Sequence, residues 1–335
     1  MANPTGQTTR TQVAAAPLSI YDRAMLYRAL DYLAYTMYGQ EKQLPQKSGQ
    51  QVIFSVFDSL PMGVKLTEGA NPSAWRMSKS TKTGTLATYG GYVEIAEEVN
   101  VLTQDKVLLE AAELNGEAMG LTLDTVCRDI IVAGTGVTLA GDQARSAQKT
   151  LLVKSDWDES ILTLKNNKAK PFSPVLMGSP KVGTLPIRDS FFCITSFDTT
   201  EYMESILTGG TKGKYITVSE YGTAEGIQKN EQGSYRNIRF IATTNSAIAS
   251  SGTTGGATVK KGTDGNAEVH LSLILGRDAF GKTPISGKGA ELIVKSRKEA
   301  GGPLERYDTS GWKSLVGYLI LVENFMHRYE HCVPA

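Results

Sequence analysis

Between residues 104 and 133 apolar side chains return at every third or fourth position. Leu108, Ala112, Gly116, Met119, Leu123, Val126, Ile130 and Ala133 step by 4, 4, 3, 4, 3, 4 and 3, which predicts one continuous helical stripe. At about 1.5 Å per residue such a helix is about 45 Å long. Thr103 is placed to cap its start and Gly134 to close its end. A second stripe, Tyr21, Met25, Leu26, Ala29, Leu30 and Leu33, predicts an amphipathic helix over residues 18–37 that ends before Gly39 and must dock on something. Residues 1–17 are small and polar and read as a flexible arm.

The period then changes. Residues 51–60 and 81–95 are rich in β-branched and aromatic side chains and predict two strands. Between them lies about twenty residues of turn chemistry and charge, a length that marks a functional excursion rather than a connection. Arms of ten to fifteen residues reach about 35 to 50 Å, and a two-stranded ribbon of that kind is marginal alone in water. It calls for a partner surface. A shorter amphipathic helix is predicted over 156–166, ended by a turn at Pro171. Beyond it the pattern is mixed: strands over 191–195, 237–244, 269–275 and 292–294, and a helix through Ile206 opened by a capping box of Asp198 and Glu201. Residues 250–266, glycine-rich and poor in apolar side chains, read as an exposed hairpin tip or mobile loop. Residues 312–332 close the chain with β-rich apolar content, and no repeat of 20 to 50 residues appears.

Composition narrows the function. The 335 residues, 41% apolar, suffice for one large or two modest domains. Lys and Arg number 35 against 34 Asp and Glu, so a net charge of +1 nominates neither free nucleic acid nor an anionic membrane as partner. The longest apolar run, 315–322, is far short of a helical membrane span. The N-terminus lacks the basic and apolar regions of a signal peptide, so the chain is expected to stay in the cytoplasm that makes it. Cys127, Cys193 and Cys332 form no CxxC pair, and His270, His327 and His331 are the only imidazoles. No enzyme and no cofactor is expected.

Three motifs still carry possible chemistry. His327, Glu330 and His331 match the inverted zincin pattern H-x-x-E-H. On a helix the two imidazoles would stand about 6 Å apart and could grip one zinc; on a strand about 13 Å separates them. The surrounding β-rich residues predict a strand, so a zinc peptidase is the rival of a different class and the lesser reading. Gly209–Lys214 offers glycine amides and lysine to a phosphate, but Thr208 and Tyr215 stand where the Walker spacing needs glycine and a hydroxyl. Asp264, Asn266 and Glu268 supply oxygens without the EF-hand spacing, so a turn is expected. The 14 tyrosines are scattered, without a basic-aromatic stripe for single-stranded nucleic acid.

An arm, a projecting ribbon, a strut helix and a mixed α+β remainder without catalytic residues make a sensible shell tile. The order of LTEG (66–69), YGGYVEI (89–95), LDTVCRDII (123–131), NNKAKPF (166–172), NIRFIATTN (237–245), LGRDAFG (275–281), GKGAELIVK (287–295) and the closing GWKSLVGYLILVENFMHRYEH resembles the major capsid proteins of tailed bacteriophages, in the family typified by the coat protein of the coliphage N-four podovirus. The resemblance implies the α+β fold of the Hong Kong 97 type. On it, 1–45 would be the N-terminal arm, 46–100 the extended E-loop, 101–172 with 285–335 the P-domain with its spine helix at about 104–133, and 173–284 the A-domain. Residues 181–229 and 250–266 depart from the family pattern.

The same resemblance implies that copies of the chain form pentamers and hexamers of an icosahedral virion shell around double-stranded DNA, which they touch only weakly, with portal, scaffolding and decoration proteins as further partners and no membrane. A nanocompartment shell of the same fold is the nearest alternative. Some shells of this fold join lysine to asparagine between subunits; Lys79 and Lys82 lie in the loop, but no partner asparagine is apparent, and a non-covalent shell is expected. Charge is segregated beneath the net +1. Residues 61–90, with Lys65, Arg76, Lys79 and Lys82, balance to +3, and residues 91–117, with Glu94, Glu97, Glu98, Glu110 and Glu113, balance to −6. The basic tip is therefore expected to dock on the acidic base and first spine-helix turns of a neighbour, with the helix dipole as the plainer reason for those acids. Gly116 and Gly120 interrupt the strut at a cost of about 1 kcal/mol each, either for close packing or as a hinge for shell expansion.

Overall fold

The computed structural model describes residues 22–30, 32–47, 49–57, 60–66, 68, 69, 71, 73–102, 107–172, 189–207, 213–221, 227–285, 289–300 and 306–335. A short helix, α1, covers 22–29, and a 3-10 turn (Tyr35–Tyr38) leads to β1 (Gln40–Glu41). Strands β2 (Gln51–Phe57) and β3 (Lys79–Thr85) pair antiparallel as a ribbon, from Gln51 opposite Thr85 to Phe57 opposite Lys79. Then come β4 (Ala87–Ala96), α2 (Glu97–Leu102), α3 (Val107–Val132), β5 (Val137–Leu139) and α4 (Lys154–Asn166). The remainder runs β6 (Phe191–Thr195), α5 (Phe197–Leu207), β7 (Tyr215–Thr217), β8 (Glu231–Tyr235), β9 (Ile238–Ala242), β10 (Ile248–Thr254), β11 (Asn266–Leu275), β12 (Phe280–Pro284), β13 (Glu291–Lys295), α6 (Arg297–Ala300), β14 (Tyr307–Ile320) and β15 (Met326–His331).

Two sheets organise this mixed α+β chain. In the first, β14 is the spine: β4 lies along one edge, while β13 and then β12 share the other, with β1 added parallel to β12. In the second the order is β5-β15-β11-β6-β9-β8-β7, and β10 pairs with β11 alongside β6. Strands β5 and β15 thus share a sheet with β6 to β11 although they come from opposite ends of the segment pattern. One apolar cluster joins Tyr35, Cys127 and Ile131 to Phe192, Leu273 and Leu275 of the second sheet and Phe280, Val316 and Tyr318 of the first. Another packs Trp157, Ile161 and Leu164 of α4 and Met203 of α5 on Phe191, Phe240 and Tyr329. A third seats Met25 and Ala29 of α1 and Ala112 and Met119 of α3 against Leu292 and Trp312.

Several expectations are corrected by packing. The strand predicted over 81–95 is two, because Leu86 turns inward, 2% exposed, among Leu44, Val52, Phe54 and Leu321 and donates its amide to the Gln50 carbonyl. Upstream the chain pairs with β2 and downstream with β14, so the ribbon proper is seven pairs long, about 23 Å. The helix predicted over 18–37 is confined to 22–29 among the described residues, followed by the 3-10 turn; Met25 and Ala29 are buried, whereas Leu26 and Leu30 are exposed. The buried residues of α3 are Ala111, Ala112, Asn115, Gly116, Met119, Gly120, Asp124, Cys127 and Ile131. Their line keeps the predicted stripe to Met119 and then drifts one position, because straight helices turn at 3.6 residues and because the polar Asn115 and Asp124 are buried for hydrogen bonds. Thr103 lies outside the described residues. The cap of α5 is Ser196, whose Oγ accepts the Thr199 amide at 3.3 Å; Asp198 instead takes the Lys260 ammonium at 2.5 Å. Residues 250–266 include the expected hairpin turn, since β10 pairs antiparallel with β11 and most of the connection is unburied, but its middle is anchored: Val259 is buried in a cluster with Val269 and Cys332.

Candidate assembly interface

The residues with reactive side chains are locked into the second sheet. His327 and His331 both lie on the extended β15, opposite Ile274 and His270 of β11. His327 Nε2 meets Thr138 Oγ1 at 2.8 Å, His331 Nε2 meets Ser272 Oγ at 3.0 Å, and His270 Nδ1 meets Ser196 Oγ at 2.8 Å. Burial holds the His270 and His327 imidazoles down to about 4 and His331 to about 3, so all three are neutral. Glu330 is 1% exposed; burial raises its carboxyl, but bonds from Arg145 and Arg328 outweigh that and leave it below its ordinary value. The zincin pattern therefore places its glutamate between two guanidiniums and its histidines on a strand. Among the described residues no three His, Cys, Asp or Glu side chains are grouped to hold a metal. Residues 208–212 of the glycine-lysine stretch lie outside the described residues, and Lys214 pairs with Glu220 at 3.1 Å. Asp264 closes a turn by accepting the Asn266 amide at 3.0 Å and the Ser250 hydroxyl.

The surface around the ribbon offers more. Lys65, Arg76, Lys79 and Lys82 are all exposed on the ribbon and its tip. Glu94 stands on β4 opposite Thr309, and Glu97 and Glu98 form the first turn of α2. Two of the acidic candidates are engaged within the chain: Glu98 by Arg306 at 2.8 Å, and Glu113 by Arg28 at 2.8 Å. Glu110 is exposed in the first turn of α3. The tip carries a second signal, which the charge pattern obscured. Leu60, Met62, Val64 and Leu66 alternate in the sequence beyond β2, Trp75 and Met77 precede β3, and all six are exposed. The alternation was legible; its exposure was not.

A matching concavity lies on the first sheet. Trp312 and Leu292 face α3 with Ala112 and Met119, so side chains at alternate positions point to the other face. There Tyr92 and Ile293 flank Gly311, and Gly90 stands opposite Lys313. A trough of about 600 Å³ is walled by Tyr92, Ile293 and Tyr307 and rimmed by Glu94, Lys295 and Lys313; Gly90 and Gly311 line it, each pressed against the adjacent strand, where an added Cβ would stand 2.8 Å from the Trp312 carbonyl oxygen and the Tyr92 Cβ respectively. No local signal marks it, because the two glycines are over 200 positions apart.

The strut is gripped by α1. An added Cβ on Gly120 would stand 2.5 Å from the Ala29 carbonyl oxygen, and one on Gly116 would stand 2.9 Å from the Met25 Cα. Both glycines thus admit the α1 backbone, which accounts for them through packing. Asp124, 0% exposed, accepts the amides of Ala34 at 2.8 Å, Tyr35 at 2.7 Å and Thr36 at 3.4 Å, and Asn245 Nδ2 at 3.1 Å. Burial still holds its carboxyl above the usual range. The segment before β1 is held to α3 from Met25 to Thr36 through packing at the glycines, the Arg28–Glu113 pair, the Tyr32 hydroxyl on Glu117 and the Asp124 carboxylate.

No family model matches the sequence, and no curated protein matches it. Solved structures do match. The capsid of Ralstonia phage GP4 superposes with a TM-score of 0.64 at 11% identity, over 90% of this chain and 92% of that one. The capsid of cyanophage P-SCSP1u gives 0.59 at 10%, over 89% and 88%. The head of Helicobacter pylori bacteriophage KHP40 gives 0.56 at 11%, over 88% and 87%. The chain has the fold of these phage capsid proteins along nearly its entire length.

Proposed function

We propose that this chain is the major capsid protein of a tailed bacteriophage, a structural protein of the virion with no catalytic role. The observation that carries the reading is the length of the match: about nine-tenths of the chain, with nine-tenths of each counterpart, follows capsid and head proteins. The buried, neutral histidines and the arginine-clamped Glu330 agree with that.

The fold is of the Hong Kong 97 type in this reading. Residues 1–45 are the arm, 46–100 the E-loop, 101–172 with 285–335 the P-domain around α3, and 173–284 the A-domain that meets its copies about the five- and six-fold axes. Copies close as pentamers and hexamers into an icosahedral shell around double-stranded DNA, and portal and scaffolding proteins, with a decoration protein, complete the particle. The net charge of +1 suits the wall, since a strongly basic interior would hold DNA through counterion release and resist packaging. The ribbon gives each tile an arm of about 23 Å plus its tip with which to overlap the next.

The test is expression of the full chain followed by sedimentation and electron microscopy. Closed shells or capsomer rings are expected. A chain that stays monomeric at high concentration, alone and with the scaffolding gene product of its own genome, removes the reading.

A further inference from the structure

We infer that the corner where the end of α4 meets the β11–β12 turn, built from Lys165, Lys168, Lys170 and Arg277, holds the phosphodiester backbone of double-stranded DNA. This deepens the shell reading, which encloses DNA against one face of each tile, and rests on it.

Two segments far apart in the chain build the corner. The Arg277 amide donates to the Lys170 carbonyl at 2.8 Å, and an added Cβ on Gly276 would stand 3.3 Å from that same oxygen and 3.4 Å from the Ala169 side chain. Residues 166–172 and 275–281, two of the segments on which the capsid resemblance rests, thus form one surface. It is held from beneath. Phe172 packs its ring against Tyr38 and Phe192 at centroid separations of 5.8 and 5.2 Å, and the Gly276 amide donates to the Phe325 carbonyl at 2.7 Å. A corner fixed before binding loses little conformational freedom when a ligand arrives.

Charge names the ligand. Lys165, Lys168, Lys170 and Arg277 are all exposed, and among the described residues the last three side chains form neither a hydrogen bond nor an ion pair. Lys165 donates to the neutral Oδ1 of Asn237 at 2.7 Å. The carboxylates of the corner are Asp278, beside Arg277 in the turn, and Asp189, whose Oδ1 accepts the Asn237 amide at 3.0 Å. Four cations therefore stand against two carboxylates, in a chain whose whole net charge is +1. The plainer reason for lysines at a helix end is the dipole. Here the end of α4 is already closed by backbone: the amides of Asn167, Lys168 and Ala169 donate to the carbonyls of Thr163, Lys165 and Leu164, so no ammonium group is needed to cap it.

A phosphate backbone suits this corner better than an acidic protein does. Within 165–172 and 276–278 no large apolar side chain is exposed, whereas the centre of a protein interface is apolar and a DNA interface is polar and positive. Asn166 and Asn167 add exposed amide donors of the kind that bond phosphate oxygens. A few such contacts per tile hold DNA weakly, through counterion release, and leave it free to enter and exit.

The test measures binding of a short DNA duplex to the unassembled full chain by fluorescence anisotropy across a salt series. Lys168→Gln with Lys170→Gln and Arg277→Gln is expected to weaken binding about tenfold at low salt and to flatten the slope of log affinity against log salt by about 2 to 3, since each phosphate contact contributes about 0.9. Lys79→Gln with Lys82→Gln on the ribbon is the control and stays within about twofold of the parent. All five positions are exposed, and circular dichroism verifies that the variants fold. In DNA-filled particles treated with formaldehyde, nucleotide adducts are expected on peptides carrying Lys168 or Lys170. A triple variant that binds like the parent, a ribbon control that loses as much, tighter binding of poly-glutamate than of duplex, or adducts confined to other peptides overturns the inference. Shells that still form alongside such a result leave the shell reading standing. A chain that never forms shells, yet binds duplex through these residues, removes the shell reading and leaves the site.

Discussion

Replacing Gly116 and Gly120 together by alanine sets two effects of opposite sign against each other. In a helix interior each change is worth about 1 kcal/mol of intrinsic propensity in favour of alanine. If the glycines served only to let α3 bend, the double variant would therefore gain about 2 kcal/mol in the isolated subunit. The geometry gives the opposite sign. Each new methyl meets α1 backbone, at 2.5 Å from the Ala29 carbonyl oxygen and 2.9 Å from the Met25 Cα, and backbone cannot yield by a rotamer change. Overpacking of this kind costs about 1 to 3 kcal/mol per site. Relief by peeling α1 away exposes the Met25 side chain, about 1.5 to 3 kcal/mol, and releases Arg28 from Glu113 and Glu117. The expected balance is a net loss of up to about 4 kcal/mol, concentrated in the segment from 22 to 38. Urea unfolding of the unassembled chain measures the sum, and hydrogen exchange of the amides at 25–36 locates it. A variant that is more stable than the parent, with those amides still protected, would show that close packing is not why the glycines are there.

Acid should weaken the fold through the buried imidazoles. Unfolded, they titrate near their ordinary value of about 6.5; folded, His270 and His327 wait until about 4 and His331 until about 3. The unfolded chain therefore binds protons first, and stability falls as pH drops from 6.5 toward 4, by about 2 kcal/mol per group at pH 5. An unfolding midpoint that stays flat between pH 7 and pH 4.5 contradicts this. Asp124→Ala should cost about 3 to 5 kcal/mol, since it strands three backbone amides in the core; a denaturation loss below about 1 kcal/mol counts against the anchoring role. Arg239 and Glu231 form a buried pair at 2.5 Å, with side chains 1% and 0% exposed. Arg239→Met alone should cost about 3 to 5 kcal/mol and the double change with Glu231→Leu less than the sum; additive losses in that cycle would mean the two side chains do not act as a pair.

Much of the secondary structure was set by neighbours in sequence. The 3.6-residue stripe of α3 and the aromatic and β-branched content of β6, β11 and β14 each reflect local propensity and the period at which side chains share a face. Fold identity was legible only in the order of segments, each of them unremarkable alone.

What the sequence left undetermined is where distant segments meet. β5 lies parallel to β15, 191 positions away, and β1 lies parallel to β12; no local pattern encodes such partners, since their pairing is decided by total burial of both sheets. Leu86 could be read as one more strand residue until the cluster with Leu321 pulled it inward and divided β3 from β4. Asp198 had the spacing of a cap but lost that role to Ser196, because Lys260, brought over by β10 and β11, takes its carboxylate. Gly116 and Gly120 were visible as weak points of a helix, and only the approach of α1 gives their reason. The trough exists because Tyr92, Gly311 and Ile293 fall side by side on one face, a coincidence of register that arises only once β4, β14 and β13 are paired.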